Sequence, residues 1–321
     1  FDTMHAQHRD GIATTAENLI ADNLPEFQHL PVLADEDGDP QNAAGRYTVR
    51  AVPDVDVTIQ APGTSWTTPM MRYNGMQLPP VIRARRGDEM FLTLVNELAD
   101  MSTIHWHGFK VPGPEDGGPT EPVAANSSRL YNFTLDQPAA SLWFHPHPHG
   151  QTAEQVYRGL AGVFLLTDDI DDQLRSANQV PAVEHDIPVV VQDRLFEAEV
   201  SGERLLTYSD DHMSGFGMMG GTTLVNGAEL PRLSVETRQY TLRLYNASNS
   251  RTYDFALHDG RTFSIVGSDG GWLPEPVQAD HIVLSAGERA AIVIDFAADQ
   301  IGDLSLIHIS EPTRLDARSR M

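Results

Sequence analysis

Five of the 13 histidines lie in two short segments whose spacing could bind a metal ion. The first segment holds His105 and His107, and the second holds His145, His147 and His149. Residues i and i+2 of a strand point to the same side, so each His-x-His pair can direct two imidazoles at one point. Neutral imidazole is a good ligand for copper, zinc, nickel and iron. Chance alone gives about half of one such pair in a chain of this composition, so two pairs about 40 residues apart predict a metal site.

Prolines alternate with the histidines of the second segment, at Pro146 and Pro148. Proline has no amide donor and is excluded from the middle of a sheet, so we expect this segment at a strand end or in a loop. Such an open position suits a metal site better than a core position. The remaining histidines stand alone and are predicted to be surface or core residues: His5, His8, His29, His185, His212, His258, His281 and His308.

Two further groups of residues could take part in metal chemistry. Asp116 follows His107 by nine residues in the sequence Asp-Gly-Gly-Pro. A carboxylate beside a metal site can relay protons, but Asp-Gly is also typical of a turn, and the residues alone leave both roles open. Met213, Met218 and Met219 lie in a glycine-rich segment. Their thioethers could bind Cu(I), but methionine more commonly fills gaps in loops and cores, which is the role we predict.

The elements that must position these residues are predicted to be short strands. Val55, Val57 and Ile59 alternate with polar residues, and similar segments follow, separated by glycine and proline turns. This pattern is typical of β-sandwich proteins. We therefore predict an all-β chain with two sandwich domains. The predicted divisions are a largely irregular N-terminal extension, the first domain, an acidic linker, the second domain and a tail outside the fold, at residues 1–45, 46–168, 169–182, 183–304 and 305–321.

Charge and cysteine content exclude several classes of function. The chain has 22 Lys and Arg against 45 Asp and Glu, a net charge of −23 that repels phosphate backbones, so we expect no nucleic-acid partner. The mean hydropathy is −0.30, and no apolar run reaches the about 18 residues that a membrane span requires. There is no cysteine. Disulfides, cysteine-ligated zinc, iron–sulfur clusters and thiol nucleophiles are therefore all excluded.

The histidine segments resemble the first two copper-binding motifs of the multicopper oxidases, laccase-like enzymes that reduce dioxygen to water. The likeness covers residues 46–304 and is strongest to the bacterial cuprous oxidase branch of the family. It implies cupredoxin-like Greek-key sandwiches, two of the three that family members contain. The segments that carry it are His105-Trp-His-Gly-Phe-Lys-Val-Pro-Gly-Pro-Glu-Asp116-Gly-Gly-Pro, Trp143-Phe-His-Pro-His-Pro-His-Gly, Gly159-Leu-Ala-Gly, Leu224-Val-Asn-Gly and Ser268-Asp-Gly-Gly-Trp-Leu-Pro-Glu-Pro-Val277.

The resemblance implies a role for each residue of the motifs. His105 matches the ligand of the type 2 copper, and His107 and His145 match ligands of one type 3 copper. His147 matches a ligand of the other type 3 copper, and Asp116 resembles the proton-relay carboxylate of the family. His149 has no counterpart among the ligands and is expected either to support a ligand from outside the metal site or to lie in a loop. The implied partners are dioxygen and a small reducing substrate, cuprous ion or a phenol, and the implied location is periplasmic or extracellular.

The chain departs from the family pattern because it has no cysteine. The type 1 copper site, where electrons enter, requires a cysteine thiolate, and the family's downstream copper motifs are also absent. We therefore expect a fragment that lacks the third domain, supplies half of the ligands of a trinuclear copper cluster and is inactive alone. The alternatives are a two-domain copper oxidase, which would also need a cysteine, and a non-catalytic scaffold similar to the copper-free cell-division relatives of the family. The retained histidines and Asp116 favour the fragment.

Overall fold

Strands are the main regular elements in this computed structural model. It describes residues 23–39, 43–198, 203–209, 217–299 and, for the backbone only, 307–310. Two short α-helices occur in this part of the chain, α1 (Thr152–Tyr157) and α2 (Asp169–Ser176). The strands are β1 (Ala44–Ala61), β2 (Thr64–Tyr73), β3 (Val81–Arg85), β4 (Glu89–Asn96), β5 (His105–His107), β6 (Ser127–Thr134), β7 (Ala140–His145), β8 (Gly162–Thr167), β9 (Asp186–Arg194), β10 (Phe196–Ala198), β11 (Arg204–Leu206), β12 (Thr222–Val225), β13 (Gln239–Asn246), β14 (Tyr253–Leu257), β15 (Phe263–Ser268), β16 (Gly271–Ala279), β17 (His281–Leu284), β18 (Arg289–Asp295) and β19 (Ile307–Ser310).

The first sandwich consists of two four-stranded sheets, with strand orders β2-β1-β4-β6 and β3-β8-β7-β5. Alternate residues of β4 are buried, as expected for a strand with one face on a core. Leu92 and Leu94 from β4 meet Trp106, Phe144 and Phe164 from the other sheet in one apolar cluster. Burial of these large side chains is the main force that holds the two sheets together.

The second sandwich packs a six-stranded sheet, β12-β9-β13-β18-β15-β16, with a three-stranded sheet, β17-β14-β19. Every residue of β9 is buried, and β9 pairs in parallel with β13. Leu244, Tyr253, Phe255 and Ile292 form the centre of its core. The prediction of an all-β fold is confirmed.

The structure differs from the predicted boundaries in two places. The acidic segment 169–182, predicted as a linker, contains α2, whose first turn is capped by the Asp168 carboxylate accepting from the Asp171 amide at 2.9 Å. The tail after residue 304 was expected outside the fold, but Ile307–Ser310 pairs with β14 as β19. The apolar-polar alternation of these four residues has the period of a strand, which is the physical reason for this difference.

The two sandwiches meet along β7, the strand that ends at His145. An apolar cluster joins Trp143 and Val163 of the first sandwich to Val190 and Tyr245 of the second. Polar contacts continue this interface, since Arg289 Nε donates to the Ser141 carbonyl oxygen at 2.9 Å. The second sandwich is therefore packed directly against the strand that presents the metal-site histidines. Among the described residues, no helix has the length and apolar character needed to cross a membrane.

Candidate metal centre

The first histidine pair lies on β5, a three-residue strand at the edge of its sheet. Trp106, between the two histidines, is 0 % exposed and packs into the core. Alternation along the strand therefore turns His105 and His107 together toward the opposite side. β5 pairs antiparallel with β7, which sets His105 opposite His145 and His107 opposite Trp143. The core position of one tryptophan thus determines the direction of both imidazoles.

The second histidine segment begins on β7 and leaves it. β7 ends at His145, immediately before Pro146. His147 follows on a segment without regular structure, and His149 lies exposed in the turn beyond it. The two prolines end the ladder at this point because they have no amide hydrogen to donate. The segment lies at a strand end, as the sequence predicts.

Three imidazoles converge in the resulting site. One ligand nitrogen from each of His105, His107 and His145 lies within 4.8 Å of the other two. His107 Nδ1 and His145 Nε2 are 3.2 Å apart. Two nitrogens bound tetrahedrally to one first-row metal ion are separated by about 3.3 Å, given metal–nitrogen bonds of about 2.0–2.1 Å. The spacing of this pair therefore suits a shared metal ion.

The fourth histidine, His147, lies beside this group of three. Its ring centroid is 5.2 Å from that of His105 and 6.1 Å from that of His145. Its backbone amide donates to Thr103 Oγ1 at 2.7 Å. The four predicted histidines thus lie together. Of the other three rings, that of His147 is the farthest from His145.

Hydrogen bonds to carbonyl oxygens determine which nitrogen two of the histidines present to the site. His105 Nδ1 is 3.1 Å from the carbonyl oxygen of Asp116, and His145 Nδ1 is 2.9 Å from that of Pro146. A carbonyl oxygen only accepts, so each Nδ1 carries its hydrogen and leaves the lone pair on Nε2. Such outer hydrogen bonds orient metal-binding histidines and fix their tautomer.

Two of the imidazoles are held in the neutral form that binds metals. Burial, and after it the positive charge of Arg289, lower the pKa of His107 to about 4. Burial also lowers the pKa of His145 well below its ordinary value of 6.5. Both rings stack near Trp143, with centroid distances of 4.9 and 4.4 Å. Neutral imidazoles leave a lone pair available at neutral pH, so the donor set fits copper.

Asp116 lies next to His105 and also reaches solvent. Its Oδ1 is 3.3 Å from His105 Nδ1, and its side chain is 39 % exposed. The next residue, Gly117, has φ of +68°, and a Cβ there would overlap the carbonyl oxygen of Ile104. Glycine is therefore required at 117 for the chain to bring Asp116 against the first histidine strand. Asp116 therefore lies at a bend of the backbone and beside His105, a position that agrees with either predicted role.

The second sandwich forms one wall of the site, which the sequence analysis did not predict. A Cβ at Gly287 would lie 3.1 Å from His107 Cε1, so the glycine lets the backbone approach the ring closely. Gly287 and Arg289 lie about 180 residues after His107 in the chain, and no local motif marks them. Only the packing of the two sandwiches brings them together.

The other candidate residues lie outside the group of four histidines. Met218 is buried in an apolar cluster with Tyr157 and Leu224, which agrees with a packing role. Met219 is exposed, and Met213 is outside the described residues. The isolated histidines His29, His185, His258 and His281 do not join the site, and His5, His8, His212 and the side chain of His308 are outside the described residues.

Comparison with known proteins identifies the family. Two sequence profiles described as multicopper oxidase match residues 55–170 and residues 194–306. The multicopper oxidase mco of Staphylococcus haemolyticus is 35 % identical over 237 residues, which cover 73 % of this chain and 50 % of that protein. The cell division protein FtsP of Salmonella typhimurium is 36 % identical over 267 residues, covering 79 % of this chain and 55 % of that protein. The chain spans about half the length of these curated relatives.

Solved structures agree with the sequence matches. A laccase from Pediococcus acidilactici superposes with a TM-score of 0.79 at 34 % identity, over 92 % of this chain and 60 % of that one. The McoA multicopper oxidase from Aquifex aeolicus gives a TM-score of 0.72 at 32 % identity, over 88 % and 59 %. The predicted cupredoxin-like sandwiches are confirmed by this agreement. The chain belongs to the multicopper oxidase family.

Proposed function

We propose that this chain supplies half of the ligands of a trinuclear copper centre in an oxidase. The oxidase couples one-electron oxidation of a reducing substrate to the reduction of dioxygen to water. The observation that carries the proposal is the convergence of three ligand nitrogens within 4.8 Å, on His105, His107 and His145. A structural role alone would not require three imidazoles to face one another.

The histidines divide between the metal positions as the family resemblance implies. His105 would hold the type 2 copper, His107 and His145 one type 3 copper, and His147 the other type 3 copper. Copper held by these residues would supply the redox chemistry, one-electron exchange with the reducing substrate and with dioxygen. The chain itself supplies the orientation of the rings, through the carbonyl hydrogen bonds at His105 and His145.

Asp116 would supply protons to this chemistry. Reduction of one dioxygen to two waters consumes four electrons and four protons, so the site needs a route for protons from solvent. The Asp116 carboxylate is partly exposed and lies 3.3 Å from His105 Nδ1, which places it between water and the histidines. A carboxylate so placed can exchange protons with solvent and deliver them to the site.

The remaining ligands must come from outside this sequence. With no cysteine, the chain cannot form a type 1 copper site. We assign that site, and the other half of the trinuclear ligands, to a third cupredoxin-like domain. The chain alone would then have no oxidase activity with cuprous ion or phenols. By the same family resemblance, we place the protein in the periplasm or outside the cell.

A second candidate function is a non-catalytic scaffold. It is favoured by the 36 % identity to the cell division protein FtsP of Salmonella typhimurium, which extends over 79 % of this chain. Such a scaffold would act through its surface, and its histidines would have no need to bind copper tightly. Copper binding therefore separates the two candidates.

The test compares copper binding by the chain and by two histidine variants. Bound copper is counted after dialysis, and affinity is measured by competition with a chromophoric chelator. We expect His145→Gln to weaken binding by about 10-fold or more, as loss of a metal ligand or its support typically does. His149→Gln is the matched control from the same segment, exposed and outside the site, and should bind as the unmodified chain does. Equal affinities for all three proteins would overturn the copper assignment and favour the scaffold.

A further inference from the structure

A six-residue helix, α1, follows the second histidine segment and contacts both that segment and the residues just before His105. It begins at Thr152, five residues after His147. Its residue Gln155 is 3 % exposed, although glutamine is usually a surface residue. A buried amide needs hydrogen-bond partners, and the partners of this one lie in the segment before His105.

Thr152 fixes which nitrogen of His147 carries a hydrogen. Thr152 Oγ1 donates to the Pro148 carbonyl oxygen at 3.0 Å, which uses its single hydrogen. The same oxygen is 3.4 Å from His147 Nδ1 and can only accept from it. Nδ1 therefore carries the hydrogen, and the lone pair of His147 is on Nε2. His105 and His145 receive the same tautomer from carbonyl oxygens, whereas for His147 a side chain provides it.

Gln155 connects the helix to residues 101–103, which precede the first histidine segment. Its Nε2 donates to the Met101 carbonyl oxygen at 2.8 Å, and its Oε1 accepts from Ser102 Oγ at 2.8 Å. The next residue along that segment, Thr103, accepts the backbone amide of His147 at 2.7 Å. The helix and residues 101–103 thus both contact His147, and hydrogen bonds join them to each other. Because His105 follows Thr103 by two residues, these contacts also set the position of His147 relative to His105.

The second sandwich holds the helix in place. Asn249 Nδ2 donates to the Ala153 carbonyl oxygen at 2.7 Å, and Arg194 Nη2 donates to that of Val156 at 3.3 Å. The Tyr157 hydroxyl accepts from the backbone amide of Leu195 at 2.6 Å. Arg194 is a cation at the helix C-terminus, where the exposed carbonyls favour positive charge. The helix cannot shift relative to the second sandwich without breaking these bonds.

We propose that α1 is a positioning element for His147, in which Thr152 sets its tautomer and Gln155 sets its distance from His105. The affinity part of this inference rests on the proposed copper function. The tautomer part does not, because it concerns the metal-free protein. Neither residue touches a substrate, so both are positioning residues.

The first test measures the tautomer of His147 by nitrogen NMR of the metal-free chain, labelled with ¹⁵N-histidine, at a pH where the ring is neutral. The His147→Gln variant assigns the signal by removing it. We expect a single form protonated at Nδ1 in the unmodified chain and in Thr152→Ser, which keeps the hydroxyl. Thr152→Val keeps the shape without the hydroxyl and should give a mixture of tautomers. Retention of the pure Nδ1-protonated form in Thr152→Val would overturn the role of Thr152.

The second test measures copper affinity by chelator competition. Loss of a group that supports a metal ligand typically lowers affinity about 10- to 100-fold, and we expect that loss for Thr152→Val and for Gln155→Met. Thr58→Val makes the same change on an exposed strand pair, 3.3 Å from Thr67 Oγ1, and should leave affinity unchanged. Unchanged affinity in Gln155→Met, in a variant that keeps the circular dichroism of the folded chain, would overturn its role. If no protein binds copper, the proposed function fails, while the NMR result still decides the role of Thr152.

Discussion

Replacing Asp186 by asparagine should strongly destabilise the packing of the two sandwiches. The Asp186 side chain is 2 % exposed. It accepts from Arg243 Nε and Nη2, both at 2.7 Å, and from Arg175 Nη2 at 2.6 Å. Arg243 continues the network across the interface, since its Nη1 donates to Ser141 Oγ at 2.9 Å. Asparagine would keep the shape but leave the buried Arg243 guanidinium without its carboxylate, while Arg175 would keep Asp171 as its partner.

The expected loss is set by the uncompensated charge. Breaking a buried ion pair by removing one partner costs about 3–5 kcal/mol. Asp136→Asn is the matched control, because Asp136 pairs with Arg86 at 3.1 Å on the exposed surface. Exposed pairs contribute about 0–1 kcal/mol. The free energies of unfolding come from urea denaturation at pH 7. If Asp186→Asn costs no more than Asp136→Asn, the network does not hold the interface.

The pH dependence of this difference tests the same reasoning independently. Burial alone would raise the pKa of Asp186, but the charges and hydrogen bonds of Arg243 and Arg175 outweigh burial and hold the pKa below its ordinary value. A lowered folded-state pKa contributes stability above the unfolded value of about 3.9, and this stability is lost as the pH falls through the folded-state pKa. The difference in the free energy of unfolding between the unmodified chain and Asp186→Asn should stay constant from about pH 7 to pH 5. It should become smaller below about pH 4. A gap that widens in acid would refute the assigned direction.

Two further substitutions test the site. Asp116→Asn, in an oxidase with its complete ligand set, should slow dioxygen consumption by about 100-fold and leave the copper content unchanged. An unchanged rate, measured with an oxygen electrode, would exclude Asp116 as the proton donor to the site. Gly117→Ala should cost about 3 kcal/mol or more in urea denaturation, because its Cβ would overlap the Ile104 carbonyl oxygen at a φ of +68°. Gly38→Ala is its control, with φ of +67° and no atom within 4 Å of the added Cβ, and should cost only about 1–2 kcal/mol. Equal costs for the two glycine variants would show that the backbone can move away from Ile104.

Local spacing predicts the parts of the site that a single strand determines. Trp106 faces the core, and successive residues of a strand point to opposite sides, so His105 and His107 share the other side. The second segment leaves its strand at Pro146 because a proline cannot continue the ladder. Ile307–Ser310 also alternates apolar and polar residues, but four residues are too short a segment for this pattern to identify a strand by itself.

Contacts between distant segments could not be predicted from one sequence. The pairing of His105 with His145 depends on the register of β5 against β7. Gly287 and Thr152 carry no metal-binding chemistry of their own, so composition and motif give no reason to select them. They matter only because of the atoms they approach in the folded chain. Gly287 approaches the ring of His107, and Thr152 approaches Nδ1 of His147.

The position of the site at the junction of the sandwiches links metal binding to their packing. Gly287 abuts His107 from the second sandwich, and Arg289 joins the sandwiches at the carbonyl oxygen of Ser141. Asn249 holds the helix that supports His147. A ligand that binds only the folded arrangement stabilises that arrangement by mass action. Copper held by these histidines would therefore stabilise the pair of sandwiches as one unit, and separating them would weaken the site even with every histidine of the first sandwich intact.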